Sequence, residues 1–266
     1  MAAESKPGSG SSIVRVPGGL FAGATYPFRA FSLLRKTPKL RGYVLVPILV
    51  NLVVGSTLYA GLLFAGFQGI DAAIQNLPAW AAFLDVVLRV LLTILLFLLT
   101  GFVLLQFGVL LGSPWYGKLS EELEQLRAGQ TVIPPGGIGG IFVEIWRAIA
   151  FELKKLFLTA AIAIPLLLLN FIPGFGTLIA SVGGIALAAT IVCLDFLDPA
   201  LERRRFRFRT KLGIVAQSLP ASASFGLVCL ALVSIPLLNL LAIPLCVAAG
   251  TLFFCDRILP GLEARG

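Results

Sequence analysis

The chain has 266 residues, of which 58% are hydrophobic and only 13% are charged, with a formal net charge of +8 and a mean hydropathy of +0.97. Soluble domains carry about 25% charged residues, so this composition excludes a soluble globular protein and indicates an integral membrane protein. The chain contains no histidine, which excludes a His-ligated metal site and a Ser–His catalytic triad.

The N-terminal segment is polar at first and then becomes basic and amphipathic. Residues 1–17 are rich in Gly, Ser and Pro, and we predict that they form a disordered cytoplasmic tail. Glycines then precede or open a basic, aromatic helix, in a stretch that includes Gly18, Gly19, Gly23 and Arg29. Amide groups at a helix N-terminus favour an anion, whereas a basic amphipathic helix also serves as an interfacial anchor. The residues alone leave both interpretations open.

Two uncharged runs follow, and each is long enough for one membrane-spanning helix. They comprise residues 42–70 and 90–117, while a span needs about 20 apolar residues. After the second run, Leu119, Leu123 and Leu126 recur at helical spacing among acidic residues. This spacing predicts a soluble amphipathic helix with these three leucines on one face.

The third uncharged run, residues 156–194, is interrupted near its midpoint by the sequence NFIPGFG. We predict a helical hairpin whose tip contains Pro173, Gly174 and Gly176. The arm from Leu156 to Phe171 would reach about 24 Å as a helix, against roughly 30 Å for a bilayer core. Its residues leave two alternatives open, a tightly turned pair of full spans or a re-entrant hairpin whose tip stops inside the membrane.

A basic segment, ERRRFRFRTK, separates this hairpin from the last apolar run. Its alternating Arg and Phe side chains suit an anchor at the membrane interface, but they would also form an electropositive mouth that gathers anions. The alternative basic cluster that this second interpretation predicts consists of Arg203, Arg204, Arg205, Arg207 and Arg209.

The last apolar run, residues 212–255, is broken in a similar way and predicts a second hairpin, with Pro236 and Asn239 at its tip. Residues 259–266 are predicted to form a short cytoplasmic tail. The four cysteines lie in apolar surroundings without metal-ligand spacing, so we interpret them as small buried hydrophobic residues. Neither a metal nor a cofactor is predicted.

Lysine and arginine are concentrated before the first span, after the second span and between the hairpins. The positive-inside rule then places both termini and the bases of both hairpins in the cytoplasm, with residues 71–89 as the one substantial external connection. Since this rule explains the net positive charge, no nucleic-acid partner is predicted. The predicted fold class is an all-α integral membrane protein with two long transmembrane helices and two Pro/Gly-broken hairpins.

Several stretches together resemble the CysZ sulfate-permease family, which is related to the eukaryotic etoposide-induced membrane proteins. They are LLRKTPKLRGYVLVPILVN, GSPWYGKLSEELE, LNFIPGFG, LDFLDPALERRRFRF and IPLLNLLAIPLCVAAGT. The resemblance covers nearly the whole chain and implies one membrane domain over residues 18–258. It also implies two hairpins that penetrate the membrane only partway, which favours the re-entrant form at NFIPGFG.

The resemblance carries a function and a site with it. It implies an inner-membrane protein that assembles as a homo-oligomer and takes up sulfate, or a similar oxyanion, for cysteine synthesis. The family's sulfate site is associated with the glycine-containing stretch before the first helix and with nearby arginines. The matching positions here are Gly18, Gly19, Leu20, Gly23 and Arg29.

Two functional classes follow from these expectations. The first is a permease or channel for sulfate or a similar oxyanion, in which helix N-termini and arginines replace the lost hydration. The uncharged runs contain no Asp or Glu that could relay protons, so channel-like passage is easier to explain than carboxylate-driven pumping. The alternative is a non-transporting membrane scaffold or interaction protein. An enzyme is not expected, because the sequence offers no nucleophile–base pair and no metal cluster.

Overall fold

The structure is a computed structural model that describes residues 19–74, 82–129 and 138–264, and within these ranges it is helical without strands. The predicted N-terminal tail and Gly18 lie outside the described residues. The helices are α1 (Phe21–Ala24), α2 (Tyr26–Lys36), α3 (Pro38–Ile74), α4 (Ala82–Ala128), α5 (Ile138–Leu169), α6 (Gly176–Arg203), α7 (Phe208–Gln217), α8 (Ala221–Val233), α9 (Pro236–Phe253), a π-helical turn (Phe254–Ile258) and α10 (Leu259–Glu263).

Four of the described helical segments are long and apolar enough to cross a membrane, and the prediction of an all-α membrane protein is confirmed. The short helix α10 occupies part of the segment that was predicted to be a C-terminal tail. The four segments are Pro38–Ile74, Phe83–Val103, Gly176–Arg203 and Leu238–Glu263.

The first two spans form a long antiparallel pair, α3 with α4. Tyr59 Oη donates to Thr93 O at 3.2 Å, and Arg89 at the far end binds both Asp71 and Asp85. With 47 residues, α4 is about 70 Å long, so it extends well beyond a bilayer core of roughly 30 Å. The spanning helix therefore continues without a break into the segment that was predicted as a soluble helix.

This extension of α4 packs against the rest of the bundle. Leu119 and Leu123 have no exposed surface, as the predicted apolar face requires. Leu126 shares this face by its spacing, but it is exposed, close to the end of the helix at Ala128.

The first hairpin consists of α5 and α6 and turns within NFIPGFG. Helix α5 ends at Leu169, Pro173 and Gly174 lie in the turn, and α6 begins at Gly176. Gly174 has a φ of +90°, a conformation that favours glycine. A Cβ at Gly176 would lie 2.0 Å from Leu169 O, so the chain closes this turn too tightly for a side chain there.

The dimensions of this hairpin favour the re-entrant alternative. Lys155 Nζ lies 2.8 Å from Asp195 Oδ1, and this ion pair joins the two arms at their base. From Lys155 to Leu169, α5 rises about 21 Å, less than the thickness of a bilayer core. Phe171 and Phe175 at the tip are 85% and 78% exposed, as expected for rings that face lipid. The depth of the tip nevertheless stays a prediction.

A probe cysteine in place of Phe175 tests that depth. With a membrane-impermeant maleimide added from outside, Phe175→Cys should react much more slowly than Asp85→Cys, because the reagent does not enter lipid. The native cysteines are all buried, so the unsubstituted protein serves as the background. Equal rates at the two probe positions would show a full pair of spans instead.

The second hairpin differs from the predicted one at its N-terminal arm. Within the run 212–255 the chain already bends by 103° between α7 and α8, close to Pro220. Helix α8 has 13 residues and is therefore only about 20 Å long. The hairpin turns at Ser234 and Ile235, so Pro236 begins α9 and Asn239 lies in the first turn of α9. The backbone N–H of Asn239 donates to Ile235 O at 2.8 Å.

Helix α9 forms the centre of the bundle. In the most apolar stretch of its segment Leu238–Glu263, 72% of the residues are buried, whereas the corresponding share for α3 is 11%. Helices α8 and α9 each approach α6 through a glycine. A Cβ at Gly226 would lie 2.2 Å from Ala189 O, and one at Gly250 would lie 2.1 Å from Phe196 O. Such residues let helix backbones pack closely in a membrane.

Candidate anion-binding site

The glycine-containing segment begins α1 and exposes its first amide groups. The amide N–H of Ala22 donates to Gly19 O at 2.9 Å, and the amides before it precede the first helical turn that could pair with them. Gly19 and Leu20 are exposed, and a Cβ on Gly19 would meet nothing within 4 Å. These two residues of the predicted site are therefore accessible from outside the bundle.

Gly23 has a different environment, because it is buried against α8. A Cβ there would lie 1.8 Å from Ala221 O and 2.5 Å from Ser224 Oγ. Only a residue without a side chain allows α1 to pack this closely on α8. In this structure, Gly23 holds the segment on the bundle and leaves the exposed amides of Gly19 and Leu20 at a defined place.

Arg29 on α2 contacts the π-helical turn that follows α9. Its Nη1 lies 3.5 Å from Asp256 Oδ2, while Arg127 Nε lies 2.9 Å from Oδ1 of the same carboxylate. The Arg29 side chain is 58% exposed, and its guanidinium lies 5.4 Å from the ring centre of Tyr26. Arg257 Nε donates to Tyr26 Oη at 3.2 Å. Three guanidinium groups thus accompany one carboxylate, which leaves positive charge for an anion.

The protonation states of this cluster preserve that positive charge. Burial raises the pKa of the Tyr26 phenol above its ordinary value, so the phenol is neutral at physiological pH. The hydrogen bond to Asp256 raises the pKa of the Arg127 guanidinium, which therefore stays charged.

The basic segment after α6 is divided between two environments. Arg203 and Arg204 both bind Glu124 of α4, which has no exposed surface, and Arg204 Nη2 lies 2.6 Å from Glu124 Oε1. Arg203 also donates to Ser120 Oγ at 3.0 Å, and the Arg204 guanidinium lies 4.5 Å from the ring centre of Phe254. The guanidinium groups of these two arginines are therefore already bound by Glu124, Ser120 and Phe254.

The other arginines of the segment lie elsewhere. Arg205 is exposed and has a φ of +52°. Arg207 and Arg209 line an open cavity of about 960 Å³ beside α5 and α7. The ionisable side chains around this cavity are five bases and one acid, namely Arg147, Lys154, Arg207, Arg209, Lys211 and Glu202. Two members of the predicted cluster, Arg207 and Arg209, therefore lie at this cavity, together with basic residues of α5.

A row of acids on α6 was not singled out in the sequence. Asp195, Asp198 and Glu202 share one face of the helix through their i, i+3 and i+7 spacing. Lys155 binds Asp195, and the buried Lys211 binds Asp198 and Glu202. The spacing is visible in LDFLDPALE, but the cations come from α5 and α7, and only the fold brings these helices together.

The two predicted sites meet at the π-helical turn. Arg29 reaches this turn through Asp256, and Arg204 reaches it through the ring of Phe254. Arg207 and Arg209 are separate, at the cavity beside α5. Within the described ranges, His, Cys, Asp and Glu side chains form no group of three that could hold a metal ion.

Comparison with known proteins agrees with the resemblance in the sequence. The profile of a family described as "Sulfate transporter CysZ/Etoposide-induced protein 2.4" matches residues 26–244. A protein named sulfate transporter CysZ from Pectobacterium atrosepticum is 27% identical over 236 residues, which cover 89% of this chain and 85% of that protein. Proteins of the same name from Pseudomonas fluorescens and Salmonella typhimurium are 29% and 30% identical over 82% of this chain.

The family match contains both long helices and the first hairpin, and it ends within α9 of the second hairpin. The alignments extend over 87% and 86% of the Pseudomonas and Salmonella proteins. The expectation of a transport protein rather than an enzyme agrees with them. The chain belongs to the family of the sulfate transporter CysZ and the etoposide-induced protein 2.4.

Proposed function

We propose that this protein transports sulfate across the inner membrane and thereby supports sulfur assimilation. The observation that carries this proposal is the match, over more than four fifths of the chain, to several proteins named sulfate transporter CysZ. A similar oxyanion with the same charge and shape would use the same path. The cluster of arginines around Asp256 supplies the positive charge that an oxyanion needs on entering a membrane.

We place the sulfate site at the exposed amides of Gly19 and Leu20, together with Arg29. Amide N–H groups at the start of a helix and a guanidinium are the donors that oxyanions accept in proteins. Arg29 is well suited to this role because it is exposed and its contact with Asp256, at 3.5 Å, is long for an ion pair. An arriving dianion would compete with the Asp256 carboxylate for this guanidinium.

Uptake of radiolabelled sulfate into proteoliposomes tests the proposed function. Vesicles that contain the purified protein should fill with sulfate faster than protein-free vesicles of the same lipid, and unlabelled sulfate should compete. Uptake equal to that of the protein-free vesicles would contradict transport and favour a scaffold protein.

Substitution of Arg29 tests the site separately from the function. We expect Arg29→Ala to weaken sulfate binding by about tenfold or more, since a hydrogen bond to a charged group contributes roughly 1.5–3 kcal/mol. Arg35→Ala is the matched control, because Arg35 lies on the same helix, is exposed and stacks only on Phe31. Equal binding by Arg29→Ala and the parent would show that this site is assigned incorrectly.

Gly19→Val extends this test to the amide groups. A Cβ at Gly19 meets open space, so the substitution should leave the fold intact while its branched side chain blocks close approach of sulfate. We expect weaker binding at unchanged thermal stability. A variant that binds sulfate like the parent would remove the amides from the proposed site.

We further propose that both termini face the cytoplasm and that the protein forms a homo-oligomer. The concentration of basic residues at the hairpin bases supports the orientation. In the most apolar stretches of α3 and α4, only 11% of the residues are buried inside the protein. The exposed apolar surfaces of these helices leave room for a second copy as well as for lipid. Strong labelling of Arg205→Cys from outside would contradict the orientation, and a monomeric mass in mild detergent would contradict the oligomer.

A further inference from the structure

The cavity beside α5 and α7 contains cations that have no ion-pair partner among the described residues. Its one acid, Glu202, is already bound, at 2.6 Å by Arg147 Nε and at 2.5 Å by Lys211 Nζ. Lys154, Arg207 and Arg209 are exposed, and no carboxylate among the described residues lies within ion-pair distance of them. These three side chains, which we call the cation trio, therefore present a strong positive charge at the rim.

An apolar surface, the α5 wall, also lines the same cavity. It is formed by Leu153, Phe157, Leu158 and Ala161 of α5, together with the ring of Phe151. Phe157 is 77% exposed, so a large hydrophobic surface lies open beside the cation trio. The cavity thus combines a charged rim with a hydrophobic wall, the two chemistries that a phospholipid presents.

The position of the cavity along α5 fits the membrane interface. Lys154 is followed by Lys155, after which the chain carries no charge from Leu156 to the tip of the hairpin. Such a change from charged to uncharged residues marks the boundary between the headgroup layer and the hydrocarbon core. The cation trio therefore lies at headgroup level, and the wall from Phe157 to Ala161 points along the acyl chains.

We propose that this cavity binds one anionic phospholipid, with its phosphate at the cation trio and an acyl chain against the α5 wall. Basic pockets between helices at the membrane surface are suited to anionic headgroups. A free sulfate or phosphate ion would satisfy the cations but would make no contact with Phe157 and Leu158, whereas a lipid contacts both halves of the site. The bound lipid would fix the hairpin α5–α6 against α7.

Phosphatidylglycerol binding to the full-length protein tests this proposal. Purified protein in detergent is titrated with phosphatidylglycerol or with phosphatidylcholine, and bound lipid is measured by native mass spectrometry. The parent should prefer phosphatidylglycerol. Each basic residue near an anionic lipid surface contributes about fivefold in affinity, so Lys154→Gln/Arg209→Gln should weaken phosphatidylglycerol binding on the order of 30-fold.

The control variant Arg35→Gln/Lys36→Gln removes the same charge from two exposed residues of α2. It should bind phosphatidylglycerol like the parent, and so should the charge-retaining variant Lys154→Arg/Arg209→Lys. Equal losses in the control and in Lys154→Gln/Arg209→Gln would overturn the proposal, because they would reflect net charge alone. The absence of any preference over phosphatidylcholine would overturn it as well.

Inorganic phosphate and Phe157→Ala separate a lipid from a free ion. Phe157→Ala should weaken phosphatidylglycerol binding and leave any binding of inorganic phosphate unchanged, because only an acyl chain touches the wall. Unchanged phosphatidylglycerol binding by Phe157→Ala, with phosphate binding that depends on the cation trio, would show that the cavity takes a free oxyanion.

Discussion

Replacing Glu124 with alanine is expected to lower the free energy of unfolding by about 3–5 kcal/mol, the cost of breaking a buried ion pair from one side. Glu124 has no exposed surface, and the side chains of Arg203 and Arg204 that bind it are only 9% and 14% exposed. The substitution leaves two guanidinium groups without a carboxylate inside the bundle, where water cannot replace it. Reversible unfolding in mixed micelles measures the change.

Glu122→Ala provides the matched control for this experiment. Glu122 lies on the same helix and binds Lys39 at 2.7 Å, but Lys39 is 66% exposed. Exposed ion pairs contribute only about 0–1 kcal/mol, so this variant should unfold nearly like the parent. If both variants lowered the free energy of unfolding by a similar amount, the buried ion pairs of Glu124 would not be the cause.

Substitution of Gly250 is expected to have the second large effect. A Cβ there would lie 2.1 Å from Phe196 O and 2.7 Å from Phe196 C, so α9 would have to move away from the backbone of α6. Overpacking a close contact costs about 1–3 kcal/mol, and Gly250→Ala should reach the upper part of that range because it meets backbone rather than a flexible side chain. Gly250→Val should be still less stable.

Gly184→Ala tests whether the effect depends on the helix crossing. Gly184 lies on α6, and a Cβ there would meet nothing within 4 Å. Alanine in an open helical position is neutral or stabilises by up to about 1 kcal/mol relative to glycine. In the same detergent, the unfolding temperatures of Gly250→Ala and Gly184→Ala should therefore shift from that of the parent in opposite directions or by very different amounts. Similar destabilisation of both would exclude the crossing as the cause.

The spans and the first turn could be predicted from sequence because a bilayer acts directly on composition. Residues 42–70 lie within α3 and residues 90–117 within α4, since an uncharged run of this length has no other stable place. The break in NFIPGFG coincides with the turn because Gly174 adopts a positive φ. The bend before α8 was missed because the run from residue 212 was treated as one uncharged segment, although Gln217, Ser218 and Pro220 interrupt its apolar residues.

Burial within the bundle could not be predicted in the same way. Segments Pro38–Ile74 and Leu238–Glu263 have nearly equal hydropathy, yet they differ greatly in the share of residues buried against protein. Lipid tails are as apolar as a leucine side chain, so hydropathy does not reveal whether a helix faces lipid or another helix.

The fate of the individual arginines also depends on distant residues. In the sequence Arg203 to Arg209 look alike, as a single basic segment. Arg203 and Arg204 are paired with the single carboxylate of Glu124, 79 and 80 positions away, whereas Arg207 and Arg209 meet no such partner among the described residues. Pairing over this distance is set by the packing of α4 on α6, which no local pattern encodes.

Biosynthesis delivers this chain from its N-terminus, so α1 and α2 leave the ribosome long before α8 and α9, the helices on which they pack. Until α8 is made, Gly23 has no surface to close against, and membrane retention rests on α3 and α4. Insertion and assembly are therefore separate events in time. A chain that stopped before Ala221 would still be held in the membrane by its first two spans, but α1 and α2 would lack the helices on which they pack.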